Sequence, residues 1–137
     1  MVWSKQKQIG DVPTRRSGHS MVISNQGGTP FAYMFGGCDN RKPPGPNAEL
    51  YKLDMSDPAG YYWQMIAAPE GAGPAPRWHH TANMRDEKTM VVFGGFSGSK
   101  HHRYYNDVWL LDTATDTWSQ PPPGETNTDE KGIVTCV

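Results

Sequence analysis

A chain of 137 residues with a net charge of −1 has room for one domain and a modest core, and this charge balance gives no electrostatic footprint for nucleic acid or an anionic membrane surface. Leu, Ile, Val and Phe number only 20 of 137. Even so, low net charge, 11% aromatic side chains, 15 Gly and 12 Pro argue against compositional disorder and describe short strands joined by many turns.

In chain order the first expected element is an orphan strand at about 1–8, centred on Val2-Trp3-Ser4. A four-stranded unit follows over about 15–67, with strands at 18–23, 31–36, 48–54 and 61–66. A second unit over about 76–121 has strands at 79–84, 90–94, 107–112 and 117–120. The runs are rich in Val, Met and aromatics and are separated by Gly, Asp, Lys, Ser and Thr clusters, and no window is long enough for a helix. Between the second and third strands lie loop tips at 38–47, with Pro43-Pro44-Gly45-Pro46, and at 97–105; Pro and Gly there stop strand propagation. Pro121-Pro122-Pro123-Gly124 marks a turn, after which 125–137 matches no position of the unit and is expected to be an irregular or disordered tail. Because the periodicity stops mid-architecture, a chain cut short is expected. No apolar run approaches the roughly 20 residues that cross a bilayer, and Met1-Val2-Trp3-Ser4-Lys5-Gln6 lacks the apolar centre of a secretion signal. Two cysteines, Cys38 and Cys136, cannot build a disulfide framework, so free thiols in a cytoplasmic compartment are expected.

The two units are copies of one another. Arg16-Ser17-Gly18-His19-Ser20 falls on Arg77-Trp78-His79-His80-Thr81 at an offset of 61. Met34-Phe35-Gly36-Gly37 falls on Val92-Phe93-Gly94-Gly95 at 58, Ala48 to Asp54 on Asn106 to Asp112 at 58, and Trp63 on Trp118 at 55. The drift lies in turns.

An Arg and a His before strand one, a Gly-Gly pair ending strand two, an aromatic in strand three (Tyr51, Trp109) and a Trp in strand four (Trp63, Trp118) together resemble a kelch repeat. The resemblance covers about 1–124. It implies an all-β fold: a partial kelch β-propeller, with two four-stranded antiparallel blades plus an orphan N-terminal strand, strand one innermost and strand four outermost. The residues agree physically, since Gly pairs let a strand turn where neighbouring blades crowd the backbone and large aromatics fill the widening space between blades. Within that family, Arg16 to Ser20, Phe35-Gly36-Gly37-Cys38, Glu49 to Pro58 with Trp63, and Tyr105 to Leu110 are similar to the N-terminal kelch region of flagellar outer-arm dynein alpha heavy chains. The chain has no motor element, so no motor activity is carried over.

Candidates for chemistry are few. His79-His80 is an adjacent pair expected to alternate faces on a strand, His101-His102 is read as a solvated loop, and no Cys or carboxylate stands at a ligand spacing to complete a metal site. Cys38 has no paired base, and Gly27-Gly28 and Gly94-Gly95 are turn glycines without the Lys-Ser or Lys-Thr of a phosphate cradle. No catalytic, cofactor-binding or metal-binding residue is therefore expected, nor a cofactor. The loop tips are more informative. Arg41 and Lys42 sit in one, and Lys100, His101, His102 and Arg103 in the other; as equivalent loops of adjacent blades they emerge on one face, forming a local basic patch expected to bind a protein partner with an acidic surface. The expected role is a non-catalytic protein–protein interaction scaffold in a cytoskeletal or axonemal, dynein-like assembly of a cilium or flagellum. The alternatives are a fragment of a kelch-type enzyme and a small structural protein that oligomerises to complete a propeller. Trp109 and Val91 are expected to project from the uncovered face of the second blade, where an open face favours self-association.

Overall fold

The computed structural model describes residues 2–41, 44–100, 102–122, 126–128 and 134–136. Its elements are β1 (Gln8–Gly10), β2 (Arg16–Ser17), β3 (Ser20–Gln26), β4 (Thr29–Phe35), β5 (Cys38–Asp39), β6 (Gly45–Pro46), β7 (Leu50–Asp54), β8 (Tyr61–Ile66), β9 (Thr81–Met84), β10 (Thr89–Phe93), β11 (Val108–Asp112), β12 (Thr117–Ser119), β13 (Thr126–Thr128) and β14 (Val134–Cys136); among the described residues there is no helix. Strands β3, β4, β7 and β8 form blade 1 and β9 to β12 form blade 2, each an antiparallel meander. The repeat is preserved to the register: Met34 faces Tyr51 across β4 and β7, and Val92 faces Trp109 across β10 and β11. Gly27 and Gly28 close the β3–β4 hairpin with φ of 60° and 83°, the left-handed pair that a tight hairpin turn requires.

The N-terminal strand forms six residues later than Val2-Trp3-Ser4. Val2 and Trp3 are each 94% exposed, whereas β1 runs parallel to β8 on the outer edge of blade 1, with Gln8 opposite Tyr61. Side-chain chemistry selects this register. Trp63 Nε1 donates to Gln8 Oε1 at 2.9 Å, Asp11 N donates to Trp63 O at 2.9 Å, and Met65 N donates to Asp11 Oδ2 at 3.1 Å. At the other end, β13 and β14 pair as an antiparallel ribbon within the segment expected to be irregular; Thr126, Thr128, Val134 and Thr135 are β-branched and suit a strand.

Alternation along the strands sends each blade's apolar residues to two faces. Val22, Tyr33, Phe35 and Leu50 of blade 1 meet Met90, Val92 and Leu111 of blade 2 in the core between the blades. Ala32, Met34, Tyr51, Leu53 and Trp63 make a second cluster on the outward side of blade 1. Trp109 and Val91 do not share the open face expected for both. Trp109 lies opposite Val92 and so shares its face, packing into the inter-blade core, while Val91 is one residue out of phase and projects the other way. Phe93, half exposed, belongs with Val91 on the outward side of blade 2.

Candidate interaction groove at the blade tips

Each unit is fastened by a buried arginine. Arg16 Nη1 donates to Gly36 O at 3.1 Å and Nη2 to Glu49 Oε2 at 2.8 Å. Arg77 repeats this with Nη1 to Gly94 O at 2.9 Å and a two-pronged pairing to Asp107, at 2.7 and 2.9 Å. The strand-three aromatics complete the knot: Tyr51 Oη donates to Glu49 Oε2 at 3.1 Å, and Trp109 Nε1 to Asp107 Oδ2 at 2.9 Å. Both guanidinium groups are almost wholly out of solvent, so each acid is the charge that makes such burial tolerable. The Arg77 hydrogen bonds, outweighing partial burial, hold the Asp107 carboxyl below the usual carboxylate range.

The Arg77 backbone also joins the blades. Gly37 N donates to Arg77 O at 2.9 Å and Arg77 N to Asn47 O at 3.2 Å. A Cβ on Gly36 would lie 2.6 Å from Arg77 O, and Gly36 has φ +65°, so only glycine seats this junction. His79 holds the place of Gly18 and shares its left-handed backbone, with φ of 54° against 65°. The expected strand alternation of His79 and His80 therefore does not occur. The bend turns His80 inward, edge-on to Phe35 at 5.2 Å and with Nε2 2.7 Å from Ser20 Oγ.

The loop tips are built, too. β2, β5 and β6 form a three-stranded ribbon in blade 1, and the bridges Trp78 to Phe96 to Tyr104 repeat it in blade 2. The tips touch where a Cβ on Gly98 would come 2.9 Å from Pro46 Cδ. Beside this contact is a groove of about 490 Å³ with Pro44, Pro46 and Asn47 on one wall and Lys100 and Tyr105 on the other. It holds a donor without an acceptor: among the described residues, buried Asn47 Nδ2 has no hydrogen-bond partner, while Asn47 Oδ1 accepts from Arg16 Nη1 and from Glu49 N. Trp78 Nε1, in the smaller adjoining cavity between the same tips, is likewise buried without a partner.

Of the residues expected to form a basic patch, Arg41 and Lys100 line this one groove. Lys42 and His101 lie outside the described residues. Arg103 lies 5.5 Å from the centre of the ring of groove-lining Tyr105, on which Arg77 packs at 4.2 Å. His102 turns away with φ of 44° and its ring 6.1 Å from Phe96. Arg41 contributes less net charge than its sequence position suggests, since it pairs with Asp39 at 2.6 Å and Glu49 at 2.7 Å. Burial pushes both carboxyls up, but the Thr14 hydroxyl and Arg41 at Asp39, and Arg41 with Arg16 at Glu49, hold them below the usual range. Reading the loop for its cations missed these two acids. The signal was present, because Glu49 stands at the repeat position of Asp107. Among the described residues no group of three or more His, Cys, Asp or Glu side chains could hold a metal ion.

The profile of the KLHDC2/KLHL20/DRC7 Kelch-repeats domain matches residues 1–137. The chain belongs to the kelch-repeat family. Its kelch sequence is 38% identical over 119 residues to the dynein alpha chain of the flagellar outer arm of Chlamydomonas reinhardtii, covering 85% of this chain and 2% of that one. It is 33% identical over 120 residues to the host cell factor homolog hcf-1 of Caenorhabditis elegans, covering 81% and 14%, and 30% identical over 135 residues to host cell factor 2 of Homo sapiens, covering 88% and 16%. The kelch chain thus spans less than a fifth of each of these relatives. A solved structure of RAG in complex with one melted and one unmelted RSS superposes with a TM-score of 0.65 at 20% identity, over 80% of this chain and 32% of that chain, and bears on the fold alone. In this kelch chain the family's Arg, Gly-Gly and aromatic positions are the fastening knots and the seat of the blade junction.

Proposed function

We propose that this kelch chain is a non-catalytic interaction module whose inter-tip groove takes an extended, acidic segment of a protein partner, within a cytoplasmic, axonemal assembly of the dynein type. The observation that carries the reading is a surplus of donors between the tips: among the described residues Asn47 Nδ2 in the groove and Trp78 Nε1 in the adjoining cavity have no acceptor, and Lys100 lines both. Buried donors without acceptors are costly, and a chain bringing carbonyls and carboxylates relieves them. Pro44, Pro46 and Tyr105 supply apolar, stiff walls that suit an extended backbone. The similarity to an outer-arm dynein chain supports the axonemal setting. The net attraction comes from Lys100 and Arg103 rather than from Arg41, whose charge Asp39 and Glu49 already match.

The test is a set of labelled peptides of equal length and graded charge, followed by fluorescence anisotropy and by the side-chain NH2 signals of Asn47. Acidic peptides should bind, weaken steeply with salt, shift the Asn47 signals, and lose affinity to Lys100→Glu/Arg103→Glu. Equal binding of neutral and basic peptides, or shifts confined to surfaces away from Asn47 and Trp78, would overturn the reading.

A further inference from the structure

We propose that the outward face of blade 2 docks the outward face of blade 1 of a second copy of this chain, in a head-to-tail contact that repeats the internal junction between the blades. The molecule contains one finished example of that junction. On its receiving side Phe35 is fully buried, Gly36 lies against Arg77 O, and Gly37 N donates to Arg77 O. Blade 2 presents the same receiving side with nothing seated in it among the described residues. Phe93, at the place of Phe35, is half exposed. A Cβ on Gly94 would meet only Tyr105 O, at 3.3 Å, which is the counterpart of Asn47 O beside Gly36; the Arg77 and His80 contacts have no counterpart.

The inserting side is duplicated as well. In blade 2 it consists of the Arg77 carbonyl, His80, and Ala82 and Met84 packed on the inter-blade core. Blade 1 carries Arg16, His19, Met21 and Ile23 at those places. His19 is exposed where His80 is buried, and Met21 and Ile23 are 48% and 58% exposed. Met21 and Ile23 lie opposite Met34 and Ala32, so they share the face of the outward apolar cluster. Two half-interfaces that already fit each other within the chain are thus displayed on opposite ends of it. Joining them makes a heterologous contact, which closes into a ring or grows on.

The intermolecular junction is weaker than the internal one. Tyr33 Oη donates to Thr113 O and Ser24 Oγ to Glu87 O across the internal junction, but Val91 and Arg85 stand at the equivalent places on blade 2. Association therefore follows concentration by mass action.

The experiment is light scattering and sedimentation of the whole chain from micromolar to millimolar concentration, with Phe93→Glu and Ile23→Glu, each on one face and each already half exposed. The wild-type mass should rise with concentration, and each variant alone should stay monomeric with an unchanged far-ultraviolet spectrum. An equimolar mixture should form a heterodimer and stop there, since it holds one intact pair of faces. A monomeric wild type over the whole range, a single variant that still associates, or a mixture that stays monomeric would each overturn the proposal; continued association of one variant would point to a contact between like faces.

Discussion

Gly36 and Gly94 end the same strand of the same unit, yet only Gly36 is crowded, and Phe35 and Phe93 beside them are 0% and 50% exposed. By contrast, Arg16 and Arg77 are both buried and both tied to the carbonyl of the first glycine. The comparison separates two jobs that one repeat signature runs together. The Arg, the acid and the strand-three aromatic fasten a blade to itself and are complete in each copy. The Gly-Gly pair, the Phe and the His seat one blade on the next, and that job is done once among the described residues.

The largest contrast lies at the phenylalanines. Phe35→Ala should cost about 4 kcal/mol in urea unfolding, because it leaves a cavity against Trp118, His80 and the blade 2 core, whereas Phe93→Ala measured at low concentration should cost under about 1 kcal/mol. Next come the arginines. Arg77→Met should cost about 3 kcal/mol by stranding the Asp107 carboxylate, while Arg16→Met should cost roughly half as much because Arg41 still neutralises Glu49. A double-mutant cycle sharpens this: Arg16→Met and Arg41→Met should together cost more than their sum. Equal costs for the two single arginine variants would erase the distinction drawn between the knots.

Gly36→Ala should cost about 2–3 kcal/mol, combining a left-handed backbone with a Cβ driven at Arg77 O, and Gly94→Ala only about 1 kcal/mol for the backbone alone. The pH dependence is graded, and it is set by His80. Burial first, and then the Arg77 charge, press the His80 imidazole down to about 4, so the unfolded chain takes up its proton before the folded one does. The stability contributed by neutral His80 is complete above its ordinary value near 6.5, falls by about 1.4 kcal/mol per pH unit below that, and is gone once pH has passed about 4. His80→Gln should flatten the unfolding profile between those values.

The sequence by itself determined the repeat, since offsets of 61 and 58 recur as equivalent strands, registers and left-handed glycines. It also determined which Arg, Gly and Trp positions matter, because each is a residue type with one physical use: a forked donor, a backbone without Cβ, a large indole. Tertiary structure alone decided how those residues are shared out. Val91 and Trp109 are both apolar strand residues, and only the cross-strand register shows that they face opposite ways. Arg41 reads as an open cation until the β2–β5–β6 ribbon brings Asp39 and Glu49 onto it. Val2-Trp3-Ser4 has better strand residues than Gln8–Gly10, yet β1 forms where Gln8 can cap the Trp63 indole and Asp11 can meet β8. Burial and pairing are properties of positions in space, and a repeat specifies them only up to the neighbours that each copy actually has.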